Sequence, residues 1–553
     1  MTRQLCPVVV LAALLAGCSF SKSVPPMEPA GEVPIFPGLG DHGRKITTDS
    51  TEAQKYFDQG LSFLYAFNHD ESLRSFRKAA EIDPDCAMCW WGIAIANGPH
   101  INNPVVPEER AKEAWVTLQA AQARAGDGTA IEQALIEALA SRYADPPPED
   151  RAALDLAYAN AMRTVWQRHP SDADVGALFA EAMMDLRPWD LWTAEGQPQP
   201  GTEEVVGTLE TVMTLEPDHP LALHLYIHAV EASPTPGRAD AAADRLRDLQ
   251  PGLGHLVHMP THIDVRRGRW QKAVESNAKA IEADRAYRAL SPKQGFYGLY
   301  MAHDNHMLAY AAMMSGQRDE AVRVMDELIA EMPEQWTIDW APIADGYMVM
   351  PLEVRMRFGM WDDVLAAPEF PERFPFARAM RHYARGVAYA AKGDTKTARA
   401  ELADFLAARA AVPAEGVFGN NKMTDLLLVA EDLLEGEILY REGRHDNAFR
   451  ALRQAIVHED ALRYDEPPSW IQPVRHALGA LLLKSGRNKE AEIVFREDLG
   501  RLPGNGWGLY GLSRSLERQG KKAEAAQVRS RFEEVWAKSE VELTTPCYCE
   551  PKV

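Results

Sequence analysis

Seven histidines crowd into residues 224–306: His224, His228, His255, His258, His262, His303 and His306. The 553-residue chain holds 16 in all, so a stretch of that length should carry only two or three. Their spacings are i,i+4 for 224/228, i,i+3 and i,i+4 for 255/258/262, and i,i+3 for 303/306. On helices, each set therefore shares one face. Neutral imidazole is a common ligand for zinc, copper, iron and nickel, and an i,i+4 histidine pair on a helix is a recognised chelating unit. Seven imidazoles with the nearby carboxylate of Glu231 exceed one tetrahedral shell, which suits two ions or one ion with an outer shell. In such a site Glu231 would be a ligand or a general base, and bound water the reactive group. The residues between His224 and His228 are Leu225, Tyr226 and Ile227, so the H-E-x-x-H arrangement of zinc proteases is absent. Copper, zinc and iron all stay open, since Met259 and Met301 would favour copper but methionine more often fills cores. Two blander readings compete: a metal-free groove that hydrogen-bonds a peptide or small acid, and simple packing.

The elements that must position these faces follow a ruler along the chain. Gly60 is followed by Ser72, Phe76, Ala79 and Pro84 at 12, 16, 19 and 24 residues. Gly479 is followed by Ala491, Phe495 and Pro503 at 12, 16 and 24, and Gly436, Gly386 and Gly511 repeat the 12-residue step to Ala448, Ala398 and Ala523. Breaks at Lys392-Gly393-Asp394, Glu442-Gly443-Arg444 and Lys484-Ser485-Gly486 separate two apolar-periodic halves, as a helix-turn-helix unit requires.

These glycine, alanine, aromatic and proline positions resemble the tetratricopeptide repeat, over most of residues 53–538. The resemblance implies an all-α fold, an α-solenoid in which antiparallel helix pairs stack into a right-handed superhelix, each pair completing its core on the next. It also implies a concave surface for protein partners. Positions 2, 5, 9, 12 and 13 of a unit's first helix face that groove in the family. With Pro251, Ala273 and Pro333 as markers, His224, His228 and Glu231 fall at 5, 9 and 12. His255, His258 and His262 fall at 2, 5 and 9, and His303 and His306 at 2 and 5, so all seven imidazoles would point into one groove. Insertions at about 97–107, 143–150 and 187–203 depart from the pattern. The first carries a turn-rich loop, Gly98 to Pro104, that would serve as a lid. The last carries Trp189 and Trp192 beside the expected groove mouth. Glu181 would be a second groove carboxylate.

The expected organisation is a signal peptide over 1–17, a lipidated Cys18 with a flexible tether over 18–50, and repeat regions over 51–215, 216–340 and 341–538, with a tail over 539–553. Arg3, the nine-residue apolar run Val8–Ala16 and Leu15-Ala16-Gly17-Cys18 look like a lipobox. The run is far short of the roughly 20 residues that span a bilayer. Ser19 in place of aspartate points to the outer membrane, so the chain should sit in the bacterial cell envelope facing the periplasm. In that oxidising space Cys86 and Cys89, and Cys547 and Cys549, are disulfide candidates. Redox chemistry at the first pair and metal binding at the second are the alternatives. A net charge of −21 argues against a nucleic-acid partner, leaving an envelope protein or peptide, and the membrane through the anchor. No phosphate-binding loop, dinucleotide fingerprint or serine-hydrolase elbow is present. Three functions follow: a lipid-anchored metal-binding protein, as a metal-dependent hydrolase or oxidoreductase; a scaffold that recruits a partner along its groove; or a soluble component that binds a small molecule and hands it on.

Overall fold

The computed structural model describes residues 31–547, which form helices from Thr51–Tyr65 to Lys522–Val535 and one short hairpin, Val417–Phe418 with Asn421–Lys422. Two glycines and one phenylalanine show why the helices pair and stack. A Cβ on Gly60 would lie 2.7 Å from the ring of Phe76, and one on Gly92, in the next unit, 2.4 Å from the same ring. Phe495 is wedged identically, 2.3 Å from a Cβ on either Gly479 or Gly511. One ring thus locks a helix to its partner and to the following unit, at a contact distance that only glycine allows. The breaks expected from sequence are left-handed turns at Gly393, Gly443 and Gly486, with φ of 84°, 80° and 73°.

The array closes on itself. The Trp270 indole donates to the Pro503 carbonyl (3.1 Å), that of Trp507 to Met313 (2.8 Å), and the Ser539 hydroxyl to Gly316 (2.8 Å). From the other end, the Tyr287 hydroxyl donates to Glu71 (3.1 Å) and the Gly252 amide to the Gly38 carbonyl (2.8 Å). One hydrophobic core runs from Val33 to Met301 and another from Val265 to Cys547. Helices Gly254–His258, Pro260–Arg266 and Gly298–Ser315 sit where they meet, with Pro220–Glu231 alongside.

Residues 31–50 correct the expectation of a free tether. They have no helix or strand, yet Val33, Phe36 and Ile46 are buried. Phe36 packs 5.0 Å from Phe63 and 5.4 Å from Tyr287. The prolines kept the segment extended, but its apolar residues dock it across two distant units. Cys18 and Cys549 lie outside the described residues. Cys86 and Cys89 form a disulfide, and Cys547 is disulfide-bonded as well. Both thiols of the first pair are buried, which suits a structural bridge over an exchanging one. No helix among the described residues is long and apolar enough to cross a membrane.

Candidate metal centre

The first helices of three consecutive units carry the seven histidines. Pro260 splits the middle one, but Met259 keeps helical angles (φ −47°, ψ −40°), so His255, His258 and His262 stay in line. Six rings form a continuous chain. Centroids lie 5.0 Å apart for His224/His228 and His224/His255, 5.5 Å for His228/His262, 4.8 Å for His258/His262 and 4.6 Å for His258/His303. Their nitrogens fall into two sets of three, His224/His228/His255 and His258/His262/His303, within each of which ligand atoms lie within 4.8 Å of one another. His306 joins neither set. Its ring packs 5.9 Å from Tyr347 and 5.7 Å from Phe418.

Hydrogen bonds outside this chain of rings fix which nitrogen carries the proton. The Asn277 amide donates to the Ala273 carbonyl (2.8 Å), so its oxygen faces His258 Nδ1 at 2.7 Å and that nitrogen must donate. His262 Nδ1 lies 2.5 Å from one oxygen of Glu231 and His228 Nδ1 2.7 Å from the other. His224 Nδ1 donates to the Tyr65 carbonyl (2.8 Å). Four imidazoles are thereby held with Nε2 pointing inward. The Nε2 atoms of His224 and His228, and both ring nitrogens of His255, are buried without a hydrogen-bond partner. His258 Nε2 and His262 Nε2 face each other at 2.8 Å. Only a cation can join those two: a proton, making His262 an imidazolium paired with Glu231, or a metal ion. A proton there leaves the other set unsatisfied, at roughly 1–3 kcal/mol for each buried group. Metal ions satisfy both sets, and outward Nδ1–H groups on carboxylate, amide and carbonyl oxygens are the second layer that orients metal-bound histidines.

Electrostatics favour neutral rings. Burial, reinforced by neighbouring imidazoles, holds His224, His255, His258 and His303 well below the ordinary histidine range. Burial alone puts His306 at about 3. For Glu231 burial pushes upward, but His262 and His228 overcome it and hold the carboxyl at about 2. Its two oxygens are engaged by imidazole N–H groups and approached by the Tyr464 hydroxyl (3.4 Å). A carboxylate so engaged is a poor base and positions two rings, while its oxygens also lie within 4.8 Å of nitrogens of His228 and His262, so the expected ligand role stays open.

A roof of insertions covers this floor. Ser469 donates to the Phe418 carbonyl (3.1 Å) and Asn421 to the Arg463 carbonyl (3.0 Å), clamping the 417–422 hairpin to residues 463–469. From the N-terminal side, the Trp189 indole donates to Asn102 (3.0 Å) and that of Trp192 to the Ala229 carbonyl (2.8 Å). Between floor and roof lies a cavity of about 240 Å³, reached by His228, His255, His262 and His303. Phe67 and Trp189 are the two non-glycine residues with positive φ among the described residues, at 58° and 57°. Their rings lie 4.4 Å from His224 and 5.2 Å from His228. Such backbone angles cost of order 1–3 kcal/mol each and concentrate at functional sites.

Glu181 does not line the cavity. Burial raises it to about 7, opposed by Arg142. Sequence reasoning missed His69 and His100 as members of the array. Their rings stack at 4.2 Å, and His100 lies 4.6 Å from Phe67, which bridges to His224. Neither has a periodic partner, so no spacing could have flagged them.

No family model matches the chain, and no curated protein does. Solved structures similar along most of its length include the human IFIT1 dimer with m7Gppp-AAAA, at 13% identity over 89% of this chain and 92% of that one, TM-score 0.35. Yeast Tom70 is similar at 12% identity over the same shares, TM-score 0.28. At such scores neither likeness bears on function, and the wedged glycine–phenylalanine units decide the architecture. The fold is a tetratricopeptide-type α-solenoid. Its closure over a histidine floor is what the chain's own residues add.

Proposed function

We propose that this protein is a lipid-anchored envelope metalloprotein whose closed solenoid holds one or two transition-metal ions on the two three-histidine sets. The observation that carries the reading is the convergence of buried, unpartnered Nε2 atoms whose tautomers are fixed from outside. Three imidazoles are the protein share of a catalytic site that keeps one coordination position open. Each set sends two of its rings to the cavity, so those positions would face a small bound molecule. When bound, the metal supplies a Lewis acid or a redox centre, and a metal-dependent hydrolase or oxidoreductase is the activity class that follows. The chain's own residues do the rest. Asn277, Glu231 and the Tyr65 carbonyl orient the rings, and the insertions exclude bulk water. The Cys86–Cys89 disulfide supports an oxidising compartment, and a lipidated Cys18 at the outer membrane, facing the periplasm, would deliver the protein there.

Elemental analysis of residues 19–553, purified from the periplasm without a metal-binding tag, tests this reading. One or two equivalents of copper, zinc or iron are expected, with loss on joint His258→Ala and His262→Ala replacement. A folded protein that stays metal-free after reloading would rule it out. The repeat fold itself supports a binding role, and a second reading keeps it: a scaffold that recruits an envelope protein or peptide along its concave groove. That binding would survive the same double replacement.

A further inference from the structure

The size and chemistry of the cavity above the histidines narrow what it can take. An apolar cavity of about 150 Å³ accepts benzene, so one of about 240 Å³ has room for a single substituted ring. Trp189, Phe296, Tyr300, Tyr347 and Phe418 line it beside the histidines, with Asn102, Asn420, Asp465 and Glu466 as the other polar residues. The hairpin sets one wall firmly: the ring of Phe418 lies against Tyr347 at 5.3 Å, and a Cβ on Gly346 would lie 2.0 Å from it. No lysine or arginine lines the space, whereas Asp465 and Glu466 do. Asp465 Oδ2 accepts from the Ser469 hydroxyl (2.7 Å) and the Asn420 backbone amide (3.0 Å), and its Oδ1 from the Asn420 side chain (3.3 Å). No lining side chain is thus a lysine or arginine that could pair with an anionic ligand. Opposite them, the histidine floor offers ring nitrogens and, when loaded, a metal that takes an oxygen donor. Val417 lines the cavity and is 51% exposed, which marks the lip of an entrance.

We propose that the cavity binds one small, uncharged aromatic molecule carrying a hydroxyl group, with its ring between the walls formed by Trp189, Phe296 and Phe418 and its hydroxyl toward the histidine floor. The ring half of this inference stands on the cavity alone; the hydroxyl half rests on the metal reading. The two are tested separately by titrating 4-methylphenol, toluene and 4-methylbenzoate into chelator-stripped and metal-loaded protein, with metal content measured on the same samples. In stripped protein, 4-methylphenol and toluene should each saturate one site, and Val417→Trp, at the exposed lip, should weaken both at least ten-fold. Phe418→Ala should weaken them less, because it removes one wall and fills nothing. In loaded protein 4-methylphenol should gain at least ten-fold over toluene. Absence of saturable binding by either ring compound to stripped protein overturns the ring half even where metal is present. Tighter binding of 4-methylbenzoate than of 4-methylphenol to loaded protein overturns the choice of an uncharged ligand. A protein that never loads metal but binds both rings equally leaves the ring half standing and removes the hydroxyl half with the metal reading.

Discussion

Two histidine clusters in this chain each bring candidate ligand atoms within 4.8 Å of one another and have opposite hydrogen-bond accounts. In the first, His42, His219, Asp174, Tyr65 and Arg44 meet beneath the first repeat. His219 Nδ1 accepts from the Ala222 amide at a helix start (3.2 Å) and its Nε2 donates to Asp174 (3.1 Å). His42 bridges Asp174 (3.2 Å) and Glu216 (3.1 Å), and the Tyr65 hydroxyl and Arg44 complete the shell of Asp174. Every ring nitrogen there has a partner, so the cluster is finished as a structural tie between residues 42–44 and distant helices. In the second, the partners sit on the outer nitrogens only, and the inner ones converge on one another. Burial alone does not separate these two regions. The fate of each ring nitrogen does.

The contrast can be broken by removing the hub of each cluster. Asp174→Ala should destabilise the protein by roughly 1–3 kcal/mol for each of the two groups it leaves buried without a partner, His219 Nε2 and the Tyr65 hydroxyl, since Arg44 keeps Asp172 and His42 keeps Glu216, while metal content stays as in the parent. Chemical denaturation with elemental analysis on the same samples checks this, and a parallel loss of metal would show that the clusters are not independent. Glu231→Gln should do the reverse. The amide can accept from one ring but not from both, so metal affinity should fall roughly 10–100-fold with a smaller change in the stability of stripped protein. A competition titration with a chromogenic chelator reads it.

Acidity sharpens the comparison further because the two clusters respond with opposite sign. For His42 burial pulls downward, but Asp174 and Glu216 raise it above 6.5. Its contribution is thus complete below about pH 6.5 and lost as pH rises through the folded value. His224, His255, His258 and His303 are depressed, so unfolding binds protons there below about pH 6.5. Their contribution is present above that pH and lost as it falls. Each group changes stability by at most about 1.4 kcal/mol per pH unit. The depressed set outnumbers the raised one, and the Tm of stripped protein should therefore fall as pH drops from 7 to 5. A flat or rising profile would mean that the central rings are not held neutral.

Much of the floor was legible in the sequence because it lies on regular helices. The repeat ruler puts His224, His228, His255, His258, His262 and His303 on facing helices, and six rings meet there. It could not separate His306, which differs only in what the hairpin places against it. The roof was not legible, since contacts such as Asn421 with Arg463 join insertions that no periodicity relates. Glu466 and Asn102 gain their places only through those contacts. Residues 31–50 misled for a related reason: proline content described the backbone, whereas Val33, Phe36 and Ile46 decided where it lay. Glu231 was found by position, but the ruler gives the face of a residue and not which atoms its oxygens will meet.

X-ray absorption at the metal edge of the loaded protein tests the central claim most directly. The account predicts a first shell dominated by imidazole nitrogen at about 2.0–2.1 Å, as for zinc, with outer-ring scattering from three histidines per ion that diminishes when His224 and His228 are replaced by alanine. A shell of carboxylate oxygen or sulfur, unchanged by those replacements, would contradict it.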